Sequence, residues 1–172
     1  MSESEPFAGR RLYLVCDSGF DDVEGALRNG VDVVQLRDRG LGDRALLAYA
    51  RRMVAIAHSA GALMVVNDRP DIALLSGADG VHVGQDDITP AEIRELAGDR
   101  LLIGQSTHSE AQIAAAMHAG VDYIGVGPVH ATPTKPGRTA TGLELVAAAR
   151  RLARVPWFAI GGIDAANAAG VI

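Results

Sequence analysis

The sequence has a single cysteine, no long hydrophobic run and no excess of basic residues, and each absence excludes a class of protein. Cys16 alone cannot form an intramolecular disulfide, which fits a reducing compartment. No apolar run approaches the ~18 residues that a membrane span needs. The first five residues are polar and acidic, unlike a signal or transit peptide. We therefore expect a soluble, cytoplasmic protein with no membrane partner.

The charge balance argues against nucleic acid as a partner. The formal net charge is −5 and the isoelectric point is about 5.5, so any anion-binding site must be a local basic cluster. The 172 residues are 48% hydrophobic, which is enough for one sizeable core. We expect a loose tail over residues 1–10 and a single domain over 11–172.

Short apolar segments alternate with helical patterns along the chain. Buried strands that alternate with helices indicate a parallel sheet covered by helices. Because no glycine-rich dinucleotide fingerprint follows the first strand, the pattern favours an α/β barrel of the TIM type. The predicted strands are 12–16, 31–36, 62–66, 80–83, 101–104, 123–126 and 157–160; longer helices are predicted over 43–59, 109–120 and 143–153, a capping box at Thr89–Glu92, and one more helix from Asp164.

Polar residues gather at or just past the carboxyl ends of these predicted strands. In a barrel those ends meet at one mouth, where active sites are built. Residues scattered by chance would lie at both ends of the strands, so we interpret the set as one composite site. The set comprises Gln35, Arg37, Arg39, Asn67, Asp68, His82, Asp86, Asp87, Gln105, Ser106, Thr132, Thr134, Lys135, Gly161 and Gly162.

The loop over residues 127–137 follows the sixth predicted strand and is rich in proline, threonine and glycine. Proline fixes φ, so Pro128, Pro133 and Pro136 restrict the shapes of the loop. The hydroxyls of its threonines and the ammonium of Lys135 are donors suited to an anion. The alternative interpretation is an ordinary surface turn.

Asp68 and Asp87 are candidate metal ligands on the loops after the third and fourth predicted strands. Two carboxylates without a cysteine or a paired-histidine motif favour Mg²⁺ over Zn²⁺. Arg37, Arg39 and Lys135 would surround phosphate groups bound to the same ion. The alternative for each aspartate is a structural role in a turn or a helix cap. We expect Asp86 to support the structure of its loop.

Gly161 and Gly162 follow the seventh predicted strand, where barrels commonly bind a monophosphate through backbone N–H groups. A tight turn would need the same glycines.

The histidines and the cysteine give weaker signals. We expect His58, His108 and His118 to be exposed beside helices, and the sequence leaves the direction of His82 open. His130 lies in the 127–137 loop, where catalysis, packing and hydrogen bonding are alternatives. Cys16 is expected in the core; the alternative is a nucleophile, which is disfavoured because nothing nearby would lower the pKa of its thiol.

The motifs taken together resemble the thiamine-phosphate synthase family, in order and over essentially the whole chain after residue 10. The matching segments are LYLV (12–15), VQLRDR (34–39), VND (66–68), GVHVGQDD (80–87), GQST (104–107), GVGP (125–128), TPTK (132–135) and AIGGI (159–163).

The resemblance implies a TIM-barrel transferase of thiamine biosynthesis. It would join the amino-bearing hydroxymethylpyrimidine diphosphate to hydroxyethylthiazole phosphate, releasing thiamine monophosphate and diphosphate. The reaction would begin with cleavage of a carbon–oxygen bond, and the thiazole nitrogen would attack the resulting carbocation. Such a reaction would depend on neutralising the charge of the leaving group and on aligning the reactants more than on a general base.

The resemblance also implies roles for individual residues. Asp68 and Asp87 would bind Mg²⁺, and Arg37, Arg39, Lys135 and Ser106 would act on the reacting groups. Gln35, Leu36, Arg37, Asp38, Arg39, Asn67, Ser106 and Lys135 would bind the pyrimidine substrate, and Thr132, Pro133, Thr134 and Gly162 the thiazole phosphate.

The sequence departs from the family pattern at three places. Asp38 and Arg39 stand for the usual Glu-Lys, and Arg and Lys differ in geometry. Cys16 stands where the family usually has Thr. A closed barrel also needs an eighth strand and helix, so we expect that the natural protein continues past Ile172.

Three alternatives stay open on the sequence alone. The first is a thiazole tautomerase of the same fold, against which Asn67, Asp68 and Asp87 weigh together with the TPTK segment. The second is another barrel enzyme for a phosphorylated sugar or indole precursor. The third is a barrel that binds thiamine phosphate without turnover. A homodimer is also left open.

Overall fold

The computed structural model describes residues 6–131 and 140–171, in which strands and helices alternate. A helix lies between each strand and the next, and 3₁₀ turns at Gly98–Arg100 and Ala168–Gly170 complete the regular structure. The strands are β1 (Tyr13–Cys16), β2 (Val33–Leu36), β3 (Leu63–Asn67), β4 (Gly80–Val83), β5 (Leu102–Thr107), β6 (Tyr123–Val126) and β7 (Trp157–Ala159); the helices are α1 (Val23–Arg28), α2 (Asp43–Ser59), α3 (Pro70–Ser76), α4 (Pro90–Ala97), α5 (Glu110–Ala116) and α6 (Gly142–Leu152).

The seven strands form one sheet whose order follows the chain from β1 to β7. Strands β1 to β4 pair in parallel, as do β5 to β7. A parallel sheet in chain order with intervening helices is the succession of a TIM-type barrel. The predicted fold class is confirmed for seven units, and no eighth strand follows β7 in the part of the chain that the structure describes.

The chain divides into two compact units. The first extends to His82 and includes Ile93–Leu102, so it holds β1, β2, β3 and most of β4. The second comprises Val83–Glu92 and the described residues from Ile103 onward, so it holds most of β5 together with β6 and β7.

Most predicted elements are confirmed, and α2, β4 and β6 have the predicted bounds. β5 is longer than predicted, because Gln105, Ser106 and Thr107 continue its pairing with β6. The predicted helix from Asp164 is wrong. The Asp164 carboxylate instead accepts hydrogen bonds from the backbone N–H groups of Ala166 and Asn167, at 2.8 and 3.1 Å, and closes a turn.

The start of α4 and the first described residues are both fixed by local contacts. The predicted capping box is confirmed, since the backbone N–H and hydroxyl of Thr89 donate to Glu92 at 2.8 and 2.6 Å. Two of the described residues within the tail predicted over residues 1–10 contact other parts of the chain. Phe7 is 4% exposed, and the guanidinium of Arg10 donates to the carbonyls of Pro6, Asp32 and Gly61.

The sheet in the first unit has one apolar face, and its polar strand residues share the other, which we call the polar face. Paired residues on neighbouring strands point to the same side, and side chains alternate along each strand. The register therefore places Val34, Met64 and Val81 on one face. It places Tyr13, Gln35, Asn67 and His82 on the other, so polar side chains are collected on a single face of the sheet.

A Gly-X-Asp sequence precedes β2, β4 and β6 and acts in the same way each time. The aspartate carboxylate accepts a hydrogen bond from a backbone N–H at or next to the start of the preceding strand. Each glycine has a positive φ, which a residue with a side chain rarely adopts. The pairs are Asp32 with Leu12, Asp79 with Met64, and Asp122 with Ile103, at 3.0, 2.7 and 2.7 Å.

We predict that Asp122→Ala destabilises the protein by about 1–3 kcal/mol, because the N–H of the fully buried Ile103 loses its acceptor. The free energy of unfolding is measured by urea titration. Asp99→Ala is the control, since Asp99 is fully exposed and its nearest cation, on Arg94, is 3.7 Å away. Equal stability of the two variants would contradict the prediction.

Candidate functional site

The loop between β2 and α2 is held by the carboxylate of Asp38. It accepts hydrogen bonds from the hydroxyl and N–H of Ser18, at 2.5 and 3.0 Å. It also accepts from the N–H groups of Gly40 and Leu41, at 2.8 and 3.0 Å. These bonds, above all that of the Ser18 hydroxyl, lower the pKa of Asp38 to about 2. Asp38 is therefore committed to the shape of the loop.

Arg37 and Arg39 flank Asp38 and lie close enough to repel each other. Burial lowers the pKa of Arg37, the charge of Arg39 lowers it further, and the charge of Asp68 opposes both effects. Neither guanidinium forms an ion pair with a carboxylate among residues 6–131 and 140–171. The first unit thus brings two cations and one carboxylate together.

Asp68 follows β3 directly and has a φ of 59°, in the left-handed region. Aspartate tolerates this conformation better than most residues, yet it is uncommon and occurs often at functional sites. The N–H of Asp68 donates to the carbonyl of His82 at 2.8 Å, which fixes the start of the loop. The next residue, Arg69, is bound by Asp43 and Asp71 at 2.7 and 2.6 Å, so its charge is already neutralised.

Gln35, Asn67 and His82 lie on the polar face of the first unit. Gln35 is 3% exposed, and its Nε2 donates to the hydroxyl of Tyr13 at 2.7 Å. His82 is 8% exposed and pairs in register with Asn67, which settles the direction that the sequence left open. Leu36 belongs to the opposite, apolar face, so a substrate could contact only its main chain from the polar side.

In the second unit, Asp87 and Ser106 lie on elements joined by Gln85. The Gln85 side chain donates to the carbonyl of Ser106 at 2.7 Å, and Ser106 is 7% exposed. One carboxylate oxygen of Asp87 accepts a hydrogen bond from the N–H of Gly84 at 2.7 Å, so Asp87 stabilises a turn. A carboxylate has about four lone-pair positions, and one such bond leaves it able to bind a cation.

Gly161 and Gly162 lie against the segment that follows β6. The N–H groups of Val129 and His130 donate to the carbonyls of Ile160 and Gly161, each at 2.9 Å. A Cβ at Gly162 would lie 2.6 Å from the carbonyl oxygen of Ala131. The glycines are therefore required for a close approach of two main chains, whether or not they also bind phosphate.

The remaining histidines differ in their exposure. His58 and His118 are exposed, as predicted, and His58 contacts Asp79 at 2.9 Å. His108 is only partly exposed and its Nδ1 contacts the carbonyl of Gly127, so the prediction for this residue is wrong. The Nε2 of His130 is buried and has no hydrogen-bond partner among the described residues.

Cys16 is buried, as predicted. Burial, with a smaller contribution from Asp17, raises the pKa of its thiol to about 11, so the thiol is protonated at neutral pH.

The predicted site residues fall into three groups. Thr132, Pro133, Thr134 and Lys135 lie outside the described residues. The first unit contains Gln35, Leu36, Arg37, Asp38, Arg39, Asn67 and Asp68, and the second contains Asp87, Ser106 and Gly162.

Within residues 6–131 and 140–171, no group of three or more His, Cys, Asp or Glu side chains is arranged to hold a metal.

Sequence reasoning missed Tyr13 and Ser18. Side chains alternate along β1, so Tyr13 and Val15 lie on the same face of the strand. This alternation could have placed Tyr13 on the face of Gln35, because Val15 pairs with Gln35. Nothing in the sequence marks Ser18 as the partner of Asp38, because that contact joins two separate loops.

No helix of the described residues is both long enough and apolar enough to span a membrane.

Comparisons of the sequence with known proteins show one family. The family model described as thiamine monophosphate synthase matches residues 12–172. A thiamine-phosphate synthase of Nostoc punctiforme is 50% identical over 160 residues, which cover 91% of this chain and 46% of the relative. One from Thermus thermophilus is 49% identical over 166 residues, with 91% of this chain and 80% of the relative covered. The chain thus spans about half the length of the Nostoc relative and most of the Thermus relative.

A solved structure gives the same result. The thiamine phosphate pyrophosphorylase of Pyrococcus furiosus is similar to this chain with a TM-score of 0.83 and 29% sequence identity. The match covers 94% of this chain and 79% of that protein.

The bonds to Asp38 give a pH-dependent stability. The folded-state pKa of about 2 lies below the ordinary value of about 3.9, so the stabilisation is present above pH 4. It is lost as the pH falls from about 4 to about 2. At pH 7, Asp38→Asn should therefore have a lower melting temperature than the unaltered protein. The difference between the two melting temperatures, called the gap below, should vanish near pH 2.

Thermal melts over this pH range measure the gap. Ser18→Ala should show a smaller gap with the same pH dependence, because it removes only one of the four donors. Ser59→Ala is the control, since the Ser59 hydroxyl bonds only to the carbonyl of Ile56 in its own helix. A gap for Asp38→Asn that is constant from pH 7 to pH 2 would contradict the prediction.

Proposed function

The chain belongs to the thiamine monophosphate synthase family, and we propose from this premise that it couples a pyrimidine diphosphate with a thiazole phosphate. The pyrimidine substrate is the amino-bearing hydroxymethylpyrimidine diphosphate, and the second substrate is hydroxyethylthiazole phosphate. The products are thiamine monophosphate and diphosphate. This is a transferase reaction in which a carbon–nitrogen bond replaces a carbon–oxygen bond.

The observation that carries the proposal is the pair of arginines on the β2–α2 loop. Holding two like charges together costs free energy unless an anion neutralises them. The loop is nevertheless fixed by the four hydrogen bonds to Asp38. A diphosphate supplies the compensating charge, and guanidinium groups bind its oxygens through forked hydrogen bonds.

We extend the proposal to Mg²⁺, with Asp68 and Asp87 as its carboxylate ligands. The donor set fits, because Mg²⁺ is usually held by one or two carboxylates together with substrate phosphates and water. The single hydrogen bond that Asp87 accepts leaves it able to bind a cation. When bound, the ion neutralises charge that develops on the departing diphosphate.

The residues of this chain would act by binding and alignment. Arg37 and Arg39 stabilise the charge of the leaving diphosphate, and Ser106 and Lys135 contact the pyrimidine substrate. The carbon–oxygen bond breaks with its electron pair on the diphosphate. The thiazole nitrogen then donates its lone pair to the carbocation, and no proton is transferred. A catalytic acid–base pair is therefore unnecessary.

The thiazole phosphate is assigned to the second unit. We propose that Thr132, Pro133, Thr134 and the main chain at Gly162 bind its phosphate. The positive φ values of Gly161 and Gly162, 101° and 61°, support a turn in which backbone N–H groups face an anion.

We also propose a cytoplasmic location with small-molecule partners only. The single buried cysteine suits a reducing compartment, and the net charge of −5 does not favour nucleic acid. A homodimer stays a hypothesis.

The test is an assay with the pyrimidine diphosphate, the thiazole phosphate and Mg²⁺, in which thiamine monophosphate is followed by its oxidised fluorescence. We expect product formation that EDTA abolishes. Asp68→Asn and Asp87→Asn should each lower the rate by about 100-fold or more, because the charge on the metal ligand is lost. Asparagine can still accept the N–H of Gly84, so Asp87→Asn preserves the turn.

Asp86→Asn is the matched control for Asp87→Asn, since it removes a neighbouring exposed carboxylate and should leave the rate nearly unchanged. Activity that withstands EDTA would contradict the Mg²⁺ assignment. Complete inactivity of the unaltered protein would contradict coupling, and binding of thiamine monophosphate alone would then favour a non-catalytic barrel. Conversion of the thiazole phosphate to an isomer would favour a tautomerase.

A further inference from the structure

Ser18 attaches the β2–α2 loop to the loop between β1 and α1. The carboxylate of Asp38 divides its two oxygens between two sets of donors. Oδ1 accepts hydrogen bonds from the N–H groups of Gly40 and Leu41, at 2.8 and 3.0 Å, which shape the β2–α2 loop itself. Oδ2 accepts hydrogen bonds from the hydroxyl and the N–H of Ser18, at 2.5 and 3.0 Å. Both of these bonds to Oδ2 therefore come from the neighbouring loop.

The end of β1 holds the same segment at a second point. The main-chain N–H of Arg37 donates to the carbonyl of Cys16 at 2.8 Å. The main chain at Arg37 and the side chain at Asp38 are thus bound by residues 16 and 18 of one short stretch. Two such contacts on consecutive residues restrict how the β2–α2 loop can tilt. Without the Ser18 hydroxyl, the loop keeps its internal bonds to Oδ1 and is attached less firmly.

The position of this segment matters because two like charges extend from it. The charge of Arg39 lowers the pKa of Arg37, so the two guanidinium groups lie close enough to interact. Repulsion between them favours any movement of the loop that separates them. A diphosphate is bound best when both guanidinium groups reach its oxygens at once. A loop that is already held in one position loses less conformational entropy when the ligand binds.

We propose that Ser18 is a positioning residue, which acts through the Asp38 carboxylate to hold the two arginines where both can bind a diphosphate. The inference rests on the proposed function for the identity of the ligand. The Ser18 hydroxyl has a single proton, which the carboxylate accepts, so it has none to donate to a phosphate oxygen. Ser18 therefore affects the affinity for the diphosphate without contacting it.

The test measures the binding of inorganic diphosphate with Mg²⁺ by calorimetric titration, below the melting temperature of every variant. In Ser18→Ala we expect the dissociation constant to rise about three- to tenfold, because more of the loop must be ordered on binding. In the coupling assay, KM for the pyrimidine diphosphate should rise by a similar factor. KM for the thiazole phosphate should stay unchanged, since that substrate is assigned to the second unit.

Two matched variants accompany Ser18→Ala. Ser18→Thr keeps a hydroxyl at the same position and should bind inorganic diphosphate nearly as tightly as the unaltered protein. Ser59→Ala removes a hydroxyl that bonds to the carbonyl of Ile56 in α2, and it should leave both KM values unchanged.

A double variant separates positioning from direct contact with the ligand. Asp38→Ala should weaken diphosphate binding at least as much as Ser18→Ala, because it removes all four bonds to the carboxylate. Adding Ser18→Ala to Asp38→Ala should have no further effect, since the hydroxyl has already lost its acceptor. A further loss of affinity in the double variant would show that Ser18 binds the diphosphate directly, and would overturn the inference.

Failure of the inference is distinguishable from failure of the proposed function. If the unaltered protein forms no thiamine monophosphate, the coupling reaction is refuted, and its affinity for inorganic diphosphate still tests Ser18. An unchanged affinity in Ser18→Ala overturns the role of Ser18, as does an equal rise in KM for both substrates. A loss confined to the diphosphate, which Ser18→Thr restores, supports it. These single variants decide the question even if Asp38→Ala does not fold.

Discussion

Four hydrogen bonds to one carboxylate hold the β2–α2 loop in place, and the electrostatics of the first unit depend on them. Asp38 gathers donors from its own loop and from Ser18, in the loop after β1. Its neighbours Arg37 and Arg39 are kept close although their charges repel. The hydrogen bonds fix the loop while the two like charges stay next to each other. The loop is therefore organised in advance for an anion, which lowers the entropic cost of binding.

Aspartates that precede strands have a different role from aspartates that follow strands. Asp32, Asp79 and Asp122 precede β2, β4 and β6, and each accepts a main-chain N–H. Asp68 and Asp87 follow β3 and β4, and the carboxylate of Asp87 shapes a turn while remaining able to bind a cation. One residue type thus supports the fold where strands begin and is available for chemistry where strands end, as expected for a barrel.

Much of the fold could be predicted from the sequence because strand and helix periods are strong signals. The amphipathic pattern of α2 indicated its bounds, and the short apolar runs indicated β4 and β6. The end of β5 could not be predicted, because Gln105, Ser106 and Thr107 are polar and are strand residues only through their pairing with β6. The prediction at Asp164 was wrong because aspartate begins turns as readily as helices.

The charged residues near the strand ends were easier to predict than the contacts that each one makes. Residue types at strand ends indicated Arg37, Arg39 and Asp68, and the structure brings these three charges together. The sequence could not distinguish Asp38 as a structural residue, since its four donors are known only once the loop is folded. The contact of Tyr13 with Gln35 likewise depends on strand register, which one strand alone does not specify.

The thiol of Cys16 can report when the structure around it opens. The thiol is the single one in the chain, lies buried at the end of β1 and is protonated at neutral pH, so alkylating reagents cannot reach or activate it in the closed state. Covalent labelling requires the start of the sheet to separate from its surroundings. The rate of labelling in native buffer therefore reports opening around Cys16, without a dye, a tag or a substitution.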